Sequence, residues 1–160
     1  MTVTDARTML LLEVLDQAFD RRAWHGTTLR GSMRGLTVEA ALWRPDPARH
    51  NVWDLILHTA YWKYSVRRRL TGEPSGSFPR GPSNWPALPA ELTGAALAAD
   101  LRLLRREHGA LRDAVAAFPA TRLGRRAPRS PWTYAQLIHG AAAHDLYHAG
   151  QIQLLKRLQG

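Results

Sequence analysis

The 160-residue chain contains no cysteine. That excludes a disulfide framework, a thiolate metal ligand and a thiolate nucleophile. Any sulfur chemistry would need a thiol brought in by a small molecule. The sequence also lacks an apolar run approaching the roughly 18 residues that a membrane span requires. Its opening stretch, MTVTDARTMLLLEVLDQAFDRR, has an acid ahead of the apolar residues and polar residues among them. That is an amphipathic pattern, unlike a secretory signal, and a cytoplasmic location is expected. No stretch alternates with period two and no internal repeat occurs, so strands and solenoids are not expected. Acidic residues are few: 13 Asp+Glu face 22 Lys+Arg, a formal charge of +9.

What is present fits a globular protein. Hydrophobic residues make up 45% and charged residues 22%, ordinary proportions for a chain that buries a core. The length suits a single domain over residues 1–160. The basic residues cluster at Arg67-Arg68-Arg69, Arg105-Arg106 and Arg122/Arg125/Arg126/Arg129. Such clusters can meet phosphates. No nucleic-acid motif accompanies them, so they read as solvated faces and nucleic acid is not an expected partner.

Helical spacing organises the chain. Residues 5–23 carry Leu11, Val14/Leu15 and Ala18 at helical intervals. Trp24-His25-Gly26 marks a break, a second helical piece runs through Leu29, Met33 and Leu36, and Thr37 caps a short VEAAL turn. Asn51 and Asp54 open a helix that reaches about Leu70 and stops at Thr71-Gly72-Glu73-Pro74. Residues 72–90 hold five prolines and three glycines, which forbid regular structure. Phe78, Trp85 and Leu88 in that stretch predict a loop that packs on the domain. With Arg80 and Asn84 it has the residues of a lid, a brace or a dimer contact.

A third long helix is expected from about Ala90 to Phe118, with Leu97, Leu101, Leu104, His108, Leu111, Val115 and Phe118 as a heptad-like seam. Thr133 and Gln136 form a capping box for the last helix, which continues to about Leu158. Four long helices with three connections, two of them long, predict an all-α four-helix bundle.

The last helix carries the chemistry. Its apolar stripe reads Leu137, Ala141, His144, His148, Ile152 and Leu155, with two histidines in the middle. Residues four apart lie about 40° apart around a helix, so both rings share one face. Burying two imidazoles is costly unless something satisfies them, and a divalent ion does. A third ligand would come from a facing helix. His58 lies to the side of its helix's stripe, and His108 sits in the seam of the third helix, so both are candidates. His139 is expected on the surface, and His25 and His50 in turns. Gln151, Tyr147 and Tyr61 flank the histidine positions as pocket candidates, Gln151 as a partner for a metal-bound water. Asp145 lies about 100° from His144 around the helix and is expected to cap or pair elsewhere.

Two segments resemble the signatures of the DinB-like superfamily of damage-inducible bacterial proteins. They are Leu57-His58-Thr59-Ala60-Tyr61-Trp62-Lys63 and His144-Asp145-Leu146-Tyr147-His148-Ala149-Gly150-Gln151-Ile152. Trp24-His25-Gly26 and the LTVEAALWRP stretch are similar to the same family, so the resemblance covers nearly the whole chain. It implies a four-helix bundle holding a divalent ion on His58, His144 and His148, and a homodimer. It further implies a metal-dependent enzyme, either a transferase or isomerase using a small thiol such as mycothiol or bacillithiol, or a hydrolase. A non-catalytic, metal-stabilised dimer with a stress-response or interaction role is the alternative. Zinc or nickel suits imidazole ligands, as do iron and copper. Three imidazoles leave a coordination position open for a small-molecule substrate.

Overall fold

A computed structural model describes residues 5–160. Among these the chain is all-helical: α1 (Ala6–Phe19), α2 (Leu29–Ser32), α3 (Val38–Leu42), α4 (Val52–Thr71), α5 (Gly94–Ala117) and α6 (Tyr134–Arg157). The four long helices α1, α4, α5 and α6 form the bundle. The short α2 and α3 lie in the first connection, and a 3-10 turn at Ala120–Arg122 follows α5. No helix of the described residues is long and apolar enough to cross a membrane.

The helix ends follow local chemistry. Asn51 accepts from the Asp54 N–H while Asp54 accepts from the Asn51 N–H, a reciprocal box that starts α4. Thr133 and Gln136 do the same for α6. Gly72, with φ of 79°, turns α4 off in the left-handed conformation. Two expected boundaries move inward. α1 ends at Phe19 rather than residue 23, because Asp20, Arg21 and Arg22 have no apolar face to bury and Trp24 is fully exposed. α5 starts at Gly94 rather than Ala90, because Thr93 supplies the cap by accepting from the Ala96 N–H.

The apolar core has two halves. One gathers Phe19, Leu29, Val52, Trp53, Ile56, Leu57, Leu104 and Ile152. The other gathers Leu15, Val66, Leu70, Leu111, Val115, Tyr134 and Ile138. On each long helix the residues between the halves are polar: Asp16 on α1, Lys63 on α4, His108 on α5 and Asp145 on α6, all buried. Lys63 donates to Asp145 Oδ2 at 2.5 Å and to His108 Nδ1 at 3.2 Å. Its ammonium also lies 5.0 Å above the Phe19 ring. His108 stacks on Phe19 at 3.8 Å and faces Asp16, which Arg112 grips from the surface at 2.8 Å. A polar layer thus crosses the bundle at mid-height.

This layer turns α6 away from its expected azimuth. The buried stripe is Tyr134, Ile138, Ala141/Ala142, Asp145, His148/Ala149 and Ile152. Asp145, not His144, occupies its centre, because the carboxylate must meet Lys63. His144 is shifted to the half-buried edge.

Breaking one half of a buried ion pair costs about 3–5 kcal/mol, because the other charge is left unpaired. Lys63→Met is therefore expected to lose stability on that scale in urea unfolding. Lys63→Met combined with Asp145→Leu is expected to recover much of the loss. A double variant no more stable than the single one would show that the pair is not the cause.

Candidate metal centre

Three histidines from two helices converge beside the polar layer. α4 contributes His58, and α6 contributes His144 and His148, one turn apart. One ring nitrogen of each lies within 4.8 Å of the others. His144 Nε2 stands 3.1 Å from His58 Nε2 and 2.9 Å from His148 Nε2. His58 and His148 are buried, and His144 is half-buried.

The far side of two rings is fixed by the protein. His58 Nδ1 lies 2.6 Å from the Asn84 carbonyl and His148 Nδ1 lies 2.6 Å from Gln151 Oε1. A carbonyl oxygen can only accept. The Nδ1 atoms therefore carry the protons, and the Nε2 atoms of both rings point bare lone pairs inward. His144 can offer one N–H to only one of them. The cluster has more inward lone pairs than protons to satisfy them, and a cation resolves that mismatch. The donor set fits a divalent ion held by three neutral imidazoles.

Burial keeps the rings neutral. It lowers the His58 pKa to about 4, against the Asn84 hydrogen bond, which favours the protonated ring. It lowers that of His144 to about 3, with further repulsion from His148 and His58. Burial also lowers that of His148, while the bond to Gln151 works the other way.

The proline-rich loop is a brace. Trp85 stacks on His58 with ring centroids 3.8 Å apart and on His50 with centroids 3.5 Å apart. Asn84, in the left-handed region at φ of 71°, accepts from His58 through its backbone and from Trp62 Nε1 through its side chain at 2.8 Å. Trp62 stands edge-on to both His58 and His144. Neither the Asn84 contacts nor the His50–Trp85–His58 stack is signalled by periodicity. The aromatic residues amid prolines were the only hint that this loop docks.

The remaining candidates sort differently. Gln151 Oε1 bonds the His148 ring and sets its tautomer. Tyr147 is 65% exposed, with its ring edge-on to His148 at 5.1 Å. Tyr61 packs on Trp62 and Phe78 and belongs to the docking of the loop rather than to the cluster. His108 lies with Lys63 in the polar layer and takes no part. His25 and His139 are exposed, as expected, and His50 is held against Trp85.

A family model described as the DinB superfamily matches residues 21–152. The chain belongs to the DinB superfamily. No curated protein and no solved structure gives a match. Membership of the DinB superfamily and a cluster of three histidines fit a metal-binding protein.

The depressed pKa values carry a pH dependence. The folded rings stay neutral down to about pH 4 at His58 and about pH 3 at His144, whereas unfolded histidine takes up a proton near 6.5. The unfolded state then binds more protons, so stability is full above about pH 6.5 and declines as pH falls toward 3. Melting of chelator-treated protein is expected to show that decline, with a shallower slope in His144→Phe. An unchanged melting temperature between pH 7 and pH 4.5 would contradict it.

Proposed function

We propose that the chain is a metal-dependent enzyme of the transferase or hydrolase kind, working at a metal held by His58, His144 and His148. The observation that carries this reading is the set of three converging Nε2 atoms, two of them with their lone pairs directed inward by Asn84 and Gln151. Three protein ligands are the number found in open, catalytic zinc sites, whereas structural sites are generally closed by four. A bound divalent ion supplies Lewis acidity and lowers the pKa of a coordinated water or thiol.

This chain's own residues prepare that chemistry. His58 and His148 are held as neutral tautomers by acceptors behind them. Trp85 stacks on the His58 ring and Trp62 stands edge-on to His144, which limits how far either ring can turn. In the transferase reading the thiol is a low-molecular-weight co-substrate, because the chain has no cysteine to supply one. Zinc and nickel are the first candidates for the ion, with iron and copper compatible.

Untagged protein is expected to purify with close to one divalent ion per chain by elemental mass spectrometry. His148→Ala is expected to lose the ion and keep the fold by circular dichroism. Gln151→Leu is expected to weaken metal affinity by about 10- to 100-fold, the usual effect of removing a histidine's supporting hydrogen bond. Full occupancy in all three single His→Ala variants would end the reading. Screening small thiols and simple esters against the loaded protein separates transferase from hydrolase.

A homodimer is proposed on a separate observation. Tyr147 and Leu154 on α6 and its C-cap Leu158 lie at intervals of seven and four on one face and are 65%, 58% and 56% exposed. Sedimentation at micromolar concentration is expected to give twice the mass of one chain, and Leu154→Glu to give the mass of a single chain. A single-chain mass for the unaltered protein would refute the dimer.

A further inference from the structure

A cleft of about 630 Å³ opens between α4, α6 and the segment before α6, and His144 is the one member of the triad on its wall. Its sides are largely apolar: Trp62 and Val66 from α4, Trp132 from the preceding segment, and Leu137 and Ala141 from α6. Trp62 and Trp132 are 36% and 55% exposed, so both present ring surface to an incoming molecule.

Charge is distributed unevenly around this cleft. Lys63, Arg69 and Arg129 line it against a single carboxylate, Asp145, which is already engaged by Lys63. Most other half-buried arginines of the bundle have acidic partners: Arg44 with Asp54, Arg67 with Glu73 and Glu107, Arg80 with Asp100 and Arg112 with Asp16; Arg68, outside this cleft, pairs with no carboxylate among the described residues. Arg69 meets no carboxylate among the described residues. Its Nη1 donates to the Ser65 carbonyl at 2.9 Å and to Ser65 Oγ at 2.5 Å, which pins the guanidinium in place. Burial and the neighbouring Arg68 both disfavour its charge. Arg129 is held at φ of 54° in a tight turn closed by bonds from Ser130 N to Ala127 O and from Ala127 N to Trp132 O. A left-handed conformation at a residue other than Gly, Asn or Asp is uncommon, and here it falls on a second cation of the same cleft.

We infer that this cleft binds the substrate of the metal site as an organic oxyanion. Its apolar body lies along Trp62 and Trp132, and its carboxylate or phosphate is taken by Arg69 and Arg129. The inference rests on the metal-enzyme reading and adds the substrate class to it. Guanidinium forks pair with carboxylate and phosphate alike, and an anion here supplies the partner that Arg69 lacks. The apolar walls exclude neutral polar molecules of the same size, and the unpaired cations disfavour positively charged ones.

Three probes of one shape test this on the full chain: 2-naphthoate, 2-naphthyl phosphate and the neutral 2-naphthamide. Titration calorimetry is run on metal-loaded and on chelator-treated protein, with metal content measured separately. At least one anion is expected to bind about tenfold or more tightly than the amide, the scale of a charge-assisted hydrogen bond. The stronger of the two anions identifies the headgroup. Arg69→Met is expected to erase that preference without altering metal content, and Trp132→Ala to weaken all three probes together. Equal affinity for the three probes would overturn the inference, as would a preference that survives in both Arg69→Met and Arg129→Gln. Because anion preference is also read without metal, absent metal would refute the metal centre while leaving the cleft result to stand or fall alone.

Discussion

The bundle is organised around one buried ion pair. Lys63 and Asp145 are both 1% exposed and sit where the two halves of the apolar core meet. Taking two such charges out of water is costly, and their attraction offsets that only when the geometry is good. Here the ammonium has three acceptors or partners around it: Asp145, the His108 ring and the face of Phe19. One register of α4 against α6 satisfies this arrangement. Sliding or rotating either helix would strand a charge among leucines. The histidine cluster inherits that precision, because His58 lies little more than a turn before Lys63, and His144 and His148 flank Asp145.

Much of the architecture was legible in the sequence because its signals are local. Asn51/Asp54 and Thr133/Gln136 are caps whose bonds close within three residues, and Gly72 with Pro74 stops α4 for reasons of backbone sterics. The seam of α5 repeats so regularly that His108 was placed in the core without a structure. The azimuth of α6 was not legible. Hydrophobicity alone centres its stripe near His144, since a carboxylate adds nothing to an apolar pattern. Only its partner, 82 residues away along the chain, makes that carboxylate an interior group. The same reasoning covers Lys63, which no periodic pattern would bury.

The triad itself was legible in two different ways. Spacing gave the pair His144 and His148, and left His58 and His108 as rivals for the third position. The family resemblance favoured His58, and the structure brings His58, not His108, to the pair. What surrounds the rings was hidden, because its pieces come from an aperiodic loop. Asn84 works through its backbone carbonyl, an atom every residue owns, so no residue type could have announced it. Gln151 was noticed for its proximity to the histidines, and its bond to the His148 ring was not foreseen. The arrangement left is asymmetric: two rings have a hydrogen bond behind them, and His144, on the cleft wall, has none among the described residues.

Asn84 joins a segment without regular structure to the centre of the molecule by two bonds at once, one to the His58 ring and one to Trp62. An ion held by the histidines would therefore share its binding energy with the seating of residues 72–90. Linkage makes the exchange mutual: by as much as a seated loop tightens the ion, the ion tightens the loop. A segment that looks like a passive connection between α4 and α5 would thus be thermodynamically part of such a centre, and its ordering would report how well the centre is filled.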